Sequence, residues 1–242
     1  MTNKEDKAGR GEKVGARNLT FGMLEALGRE IVTGGYDDQR FPTEDELTAR
    51  YAVSRTVTRE AVKMLTAKGL LKAKPRAGTT VQPASHWSVF DPDVLRWMLE
   101  RKFSLELLRH FNELRSAIEP QAAALAARAE PGPAHEAIDD GLRRMEAAER
   151  GEDDTLEADI AFHIAVLEAS ANPFFLQFRD MVATALRTSI RFTNRYRGRT
   201  ADVPAHRAVF IAIQARDAEG ARSAMTAIIG EVMDYITIAS KS

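Results

Sequence analysis

Cysteine is absent from the 242-residue chain, which excludes a disulfide framework and a thiolate metal site. Any metal must therefore be bound through oxygen or imidazole. Apolar runs approaching the roughly 20 residues of a membrane span are also missing, and the N-terminus lacks the apolar core of a secretory signal. The expected setting is the cytoplasm, with no membrane partner. Nor is there an excess of one charge, since 34 Lys+Arg face 35 Asp+Glu for a net charge of −1. The balance conceals a division: residues 1–84 carry 15 basic and 11 acidic side chains, and residues 85–242 carry 19 and 24. A basic head precedes an acidic body. With 44% hydrophobic residues the chain can bury substantial cores, and its length fits two domains.

What the head does contain is a stretch that reads as a DNA-recognition helix. Ser54 is a good N-cap, because its hydroxyl can accept from a free N–H of the first turn. Val57, Ala61, Met64 and Leu65 then share one face at helical spacing, while Arg55, Arg59 and Lys63 fall on the opposite one. Such a stripe can be an ordinary solvated face, but its surroundings point to an anion. Upstream, Thr43 with Glu46 three residues later forms a capping box that starts a short helix ending near Tyr51. Two short helices with a tight turn between them make a helix-turn-helix. From Ala52 to Arg76, the basic residues Arg55, Arg59, Lys63, Lys68, Lys72, Lys74 and Arg76 stand against Glu60 alone. That imbalance suits a phosphate backbone.

Residues 1–17, rich in charge and almost free of apolar side chains, are expected to form a flexible tail. In the first helix Leu24, Leu27 and Ile31 recur before Gly34-Gly35 ends it. After the recognition helix, Gly69 closes a turn, and two short strands flank Pro75-Arg76-Ala77-Gly78, forming a hairpin or wing. Its tip, Arg76 to Thr79, is small enough to enter a minor groove, although a plain surface hairpin has the same pattern. The winged helix-turn-helix is thereby assigned to residues 18–82, and a linker to 83–92, where two prolines and no helical period occur. Trp87, Phe90, Val94, Leu95, Trp97 and Met98 are too apolar for a free linker and are expected to pin the head onto the body.

The run Phe41-Pro42-Thr43-Glu44, then Leu47, Val53-Ser54-Arg55, Val57, Arg59-Glu60-Ala61-Val62, Leu65, Lys68-Gly69-Leu70 and Gly78-Thr79-Thr80-Val81 resembles the GntR family of bacterial transcription regulators. The resemblance implies a double-stranded DNA operator as partner. It also implies a DNA-binding surface of Thr43, Glu44, Ser54, Arg55, Thr56, Thr58, Arg59 and Lys63, with Arg76, Gly78 and Thr79 from the wing. Arg55 and Arg59 would contact bases or phosphates, and Gly78 would let the wing tip approach the groove. Asp45 departs from the pattern, because many members of the family place a DNA-contacting Arg there. The operator is expected to differ at the base pairs that Arg would read.

Residues 93–242 are assigned to a second domain, expected to bind the effector and to dimerise; from Leu105 onward the sequence reads as about six helices with no convincing strand, so the protein is expected to be mainly α. The breaks fall at Glu130-Pro131-Gly132-Pro133, Gly151-Glu152-Asp153-Asp154, Asn172-Pro173 and Arg216-Asp217. Asp159 and His163, four apart, share a helix face, which lets one helix supply two metal ligands. The same spacing also serves an ordinary helix-surface hydrogen bond. No nucleophile–base pair or second metal cluster accompanies them, so no catalytic residue is assigned. A metal-dependent enzyme using Asp159, His163 and His206, with the head as a nucleic-acid tether, is the alternative function.

Glu113-Leu114-Arg115 with Glu119-Pro120, Asp159-x-x-Phe162-His163 with Ala169-x-x-Asn172-Pro173, and His206 with Ile211-x-x-Gln214 resemble the effector-binding (FCD-type) domain of the FadR subgroup of GntR regulators. By that resemblance Asp159, His163 and His206 are ligands of a divalent metal ion, with zinc, nickel or manganese all suited to the donors. A further His is usual in the family, but Ile228 stands at its position. Arg115 matches an Arg of the family pattern and, with Arg187, offers a guanidinium that can grip a carboxylate effector through two hydrogen bonds. Asn172 joins this effector set, although Asn before Pro is also a natural helix cap. Phe90 to Glu100 resembles the same segment in regulators of sugar-acid catabolism, which implies a hexonate or related hydroxy-acid. A homodimer is expected, because two heads reading two half-sites multiply specificity. The whole implies a ligand-responsive repressor released by its effector.

Overall fold

The computed structural model describes the backbone of residues 5–37, 39–74, 78–101, 105–197 and 202–240, and the side chains of 18–37, 39–73, 78–99, 105–188 and 202–240. The chain divides into two units, 1–103 and 104–242. Helix α1 (Glu5–Val32) leads the first. Its stripe of Met23, Leu24, Leu27 and Ile31 is buried against Leu47, Val57, Ala61, Leu65 and Leu70. The helix starts well inside the stretch expected to be a flexible tail. Lys, Glu, Ala and Arg are good helix formers, and extending an existing helix avoids the unfavourable nucleation step, so a shortage of apolar residues did not end it.

Helix α2 (Glu44–Tyr51) opens with the expected capping box, in which the Glu46 N–H donates to Thr43 Oγ1 and the Thr43 N–H donates to Glu46 Oε2. Ala52, in the left-handed region at φ 51°, turns the chain into α3 (Arg55–Ala67), which Ser54 caps by accepting from the Val57 N–H. Strands β1 (Leu71–Lys74) and β2 (Gly78–Val81) pair antiparallel, with Leu71 opposite Val81 and Lys74 opposite Gly78. This is a winged helix-turn-helix.

The expected linker at 83–92 is not where the chain divides. This segment is strapped to the head: the Ser88 N–H donates to the Lys68 carbonyl, the Trp87 indole donates to the Gln82 carbonyl, and Lys68 Nζ donates to Asp91 and Asp93 at 2.7 and 2.9 Å. Gly69 permits the close approach, since it sits at φ +76° and a Cβ there would lie 2.2 Å from the His86 carbonyl oxygen. Helix α4 (Pro92–Arg101) then packs on α1, burying Val94 and Trp97 in the head's core. Arg96 locks it with a bidentate bond to Glu25. Val94 and Trp97 belong to the head's core, with Trp87 and Met98 packed against it; Phe90 stays exposed.

The second unit comprises α5 (Leu105–Arg128), α6 (Pro133–Glu149), α7 (Thr155–Ala169), the single turn α8 (Pro173–Leu176), α9 (Arg179–Arg197), α10 (Val203–Gln214) and α11 (Ala218–Ala239), with no strand among the described residues. The four expected breaks are the loops between these helices. Two more, not evident from the apolar pattern, are the Gln177-Phe178 turn between α8 and α9 and the break before α10, where the Asp202 carboxylate accepts from the Ala205 N–H. Helix α5 packs along α11, α6 along α7, and α7 also against α5 and α9. Helix α7 is apolar almost all round, as an enclosed helix must be. It buries Ala158, Ile160, Phe162, Ala165, Val166 and Leu167 in the body's core. No helix among the described residues is long and apolar enough to cross a membrane.

Candidate metal centre and nucleic-acid interface

On the head, the cationic face of α3 is free of the core. Arg55, Thr56, Arg59 and Lys63 are exposed, as is the capping residue Ser54. Each cation has a carboxylate nearby: Asp45 for Arg55, Glu44 for Arg59 at 3.9 Å, and Glu60 for Lys63. Thr43 and Glu44 are exposed at the start of α2, with the Thr43 hydroxyl engaged in the capping box. In the wing, Gly78 adopts φ +83°, a conformation that favours glycine, and Thr79 is half-buried. Arg76 lies outside the described residues.

Thr58 does not belong to this surface. It is fully buried, with its hydroxyl 2.9 Å from that of Thr48 and 3.3 Å from the Ser54 carbonyl oxygen. Its position, next to Val57 and one turn before Ala61 and Val62, turns it toward α2, where a hydroxyl pair joins the two helices.

In the body, α7 supplies Asp159 and His163 and α10 supplies His206, at 4%, 1% and 2% exposure. Burial decides against a helix-surface hydrogen bond. One ligand atom from each lies within 4.8 Å of the others. Asp159 Oδ1 is 3.1 Å from His206 Nε2 and 3.9 Å from His163 Nε2, and the two Nε2 atoms are 3.3 Å apart. Phe162 meets both imidazoles edge to face and walls the cluster with apolar surface.

The far side of each ring faces an acceptor: the Asp202 carbonyl lies 2.7 Å from His206 Nδ1, and Glu119 Oε2 lies 2.5 Å from His163 Nδ1. Each Nδ1 therefore carries a proton, and the Nε2 lone pairs turn inward. Two lone pairs and a carboxylate oxygen pointing at one another repel, and a proton on one ring or a metal ion relieves them. A borderline divalent ion takes such nitrogen and oxygen donors, and an acceptor behind each ligating imidazole is its usual support. The residues fit the group. Burial opposes ionisation of Asp159, but a His206 ring that also carries a proton on Nε2 donates to it and, with the nearby His163 and Arg115 side chains, holds its carboxyl below the ordinary value.

The effector residues expected from the sequence are not all brought together. Arg115 is buried on α5, but its Nε donates to Glu119 Oε1 at 2.5 Å and its Nη1 to Asn112, so its carboxylate partner is internal. Asn172 caps α8 by accepting from the Phe174 N–H. Arg187 is partly exposed and ion-paired to Glu157 at the start of α7. Ile228 on α11 is half-buried against the body's core and adds no ligand atom. Sequence reasoning missed Glu119 as a site residue. Its four-residue spacing from Arg115 was the available signal.

A winged DNA-reading head followed by an all-helical body with a buried polar cluster defines a ligand-responsive transcription regulator. The comparisons agree: residues 24–81 match the model for bacterial regulatory proteins of the gntR family, and residues 110–231 match the FCD domain. The galactonate operon transcriptional repressor of Escherichia coli (strain K12) is 33% identical over 88% of this chain and 94% of its own length. The HTH-type transcriptional regulator YieP of the same organism is 32% identical over 88% and 93%. Two solved structures share the fold: Lar, which controls expression of the Listeria monocytogenes agr system (TM-score 0.60, 15% identity, covering 90% of this chain and 96% of that one), and E. coli McbR/YncC (0.51, 17%, 92% and 98%). The chain belongs to the GntR family of bacterial transcription regulators, with an FCD domain as its body.

Proposed function

We propose that this regulator is a homodimeric cytoplasmic repressor that leaves its operator when a small carboxylate, foremost a sugar acid such as a hexonate, binds its body. The observation that carries the reading is the convergence of Asp159, His163 and His206 in a buried site. These residues would hold a divalent zinc, nickel or manganese ion, which when bound supplies positive charge and positions open to effector oxygens. The similarity to a galactonate operon repressor supports a sugar acid. Two heads on a two-fold dimer suit a two-part operator. The effector acts by its differential affinity for the DNA-competent and released arrangements. The regulator reading is preferred to an enzyme, because the buried cluster comes with a DNA-reading head and the relatives are operon regulators.

The test is a titration of sugar acids and other small carboxylates against the protein bound to its own upstream DNA, with and without chelator. A carboxylate that lowers DNA affinity in a chelator-sensitive way is the expected result. Turnover of that carboxylate would move the assignment to an enzyme, and chelator-insensitive release would remove the metal.

A further inference from the structure

Glu119 enters that reading only as an acceptor behind His163. It is 1% exposed, and the Arg115 beside it is 2% exposed. A buried Arg–Glu pair adds little to stability that apolar residues of similar volume would not. Glu119, however, does something no apolar side chain could. Its Oε1 accepts from Arg115 Nε, and its Oε2, also within reach of Arg115 Nη2, faces His163 Nδ1 at 2.5 Å.

The two histidines are thus oriented by different devices. His206 has a neutral backbone carbonyl behind it, from the residue that caps its own helix. His163 has a carboxylate, supplied by α5 and held from behind by Arg115. A carboxylate behind an imidazole fixes the tautomer and strengthens the opposite nitrogen as a ligand. We propose that Glu119 is a positioning residue that commits His163 to present Nε2 to Asp159 and His206, and that Arg115 is the clamp that holds Glu119 in place. Arg115 then acts on the site through Glu119, not by gripping the effector. The inference rests on the metal reading above for its affinity readout, but not for its tautomer readout.

Glu119→Gln separates this role from packing. Arg115 is always charged, so it takes the amide oxygen and leaves the amide NH2 facing His163 Nδ1. His163 must then accept at Nδ1 and carry its proton on Nε2, where it blocks a ligand. The imidazole nitrogens of His163 in the metal-free, full-length protein, followed by NMR, should change from the Nδ1–H to the Nε2–H signature. Ni²⁺ affinity should fall by about 10–100-fold. Should Glu119→Gln fail to fold, the double variant Arg115→Leu/Glu119→Leu removes both buried charges together and is expected to fold. It should show the same loss of Ni²⁺ affinity and of the Nδ1–H preference. Unchanged His163 nitrogen signals, with Ni²⁺ affinity within twofold of wild type, would overturn the proposal. If wild-type protein binds no Ni²⁺, Zn²⁺ or Mn²⁺, the metal reading fails and the nitrogen signals alone decide: a tautomer change supports the role of Glu119, and none refutes it.

Discussion

The Asp45 carboxylate on α2 lies 3.3 Å from the Arg55 guanidinium at the first position of α3, and both side chains are more than three-quarters exposed. An ion pair so open to water contributes at most about 1 kcal/mol. Arg55 can therefore exchange it for a phosphate or a guanine edge at little cost, and the same holds for Arg59 opposite Glu44. Arg55→Ala or Arg59→Ala should weaken operator binding by about 1–3 kcal/mol if the lost contact is to a base. If it is to a phosphate, the salt slope should fall by about 1. Fluorescence anisotropy at several salt concentrations reads both, and effector affinity measured on the same variants should not move.

His163→Ala or Asp159→Ala should abolish the effector response while leaving effector-free DNA affinity within a few-fold of wild type. Both residues are buried in the second unit. They reach the DNA-reading head only through an equilibrium that the ligand biases. A large loss of DNA affinity without effector would show instead that they support the fold.

Arg115→Leu alone should destabilise the body by about 3–5 kcal/mol, because it leaves Glu119 buried without its cation. Burial opposes ionisation of this carboxyl, and the Arg115 charge is the largest influence holding it at about 2. Urea unfolding of Arg115→Leu beside Arg115→Leu/Glu119→Leu is the check: the double variant should recover most of the loss.

Thr58→Val, nearly isosteric, should destabilise the head by about 0.5–1.5 kcal/mol, since it removes the hydroxyl pair at the α2–α3 junction while the Thr48 hydroxyl keeps its bond to the Glu44 carbonyl. Operator discrimination, measured at a temperature where the variant is fully folded, should be unchanged. A specific loss at one base pair would return Thr58 to the DNA surface.

Glu25 gives the head an acid limit. The Arg96 guanidinium outweighs partial burial and holds the Glu25 carboxyl at about 2, against an ordinary value of 4.5. A carboxyl depressed on folding contributes stability that is fully present above the unfolded value and is lost as pH falls toward the folded one. Between about pH 4.5 and 2, wild type should therefore lose stability more steeply than Glu25→Gln, as followed by thermal unfolding across that range.

The reading head was legible because its signals are local. A capping box, a helical stripe and a Gly-flanked hairpin each span a few residues, and Thr43, Ser54 and Gly78 occupy the conformations their types suggested. Asp159 and His163 were legible for the same reason, being one turn apart. The misses depend on contacts distant in sequence or on which way a polar side chain faces. Lys68 holds Asp91 and Asp93 more than 20 residues away, so the strap looked like a proline-broken linker. Thr58 is as polar as its exposed neighbour Thr56, and only the α2 packing tells them apart. Arg115 and Glu119 have the spacing of a common surface ion pair, and nothing in one chain's sequence says that both are buried. Arg187 was chosen for its guanidinium and its place on the helix after Asn172-Pro173, yet it pairs with Glu157, 30 residues upstream.

The indole of Trp97 occupies the space where a Cβ on Gly28 would fall, 2.3 Å from its ring atoms. Dissecting the gene at the segment bounded by Pro83 and Pro92 would consequently yield a truncated reader with an indole-sized gap beside Gly28 of its first helix. A reading fragment that runs through Arg101 keeps α4, whose Val94 and Trp97 belong to the head's core.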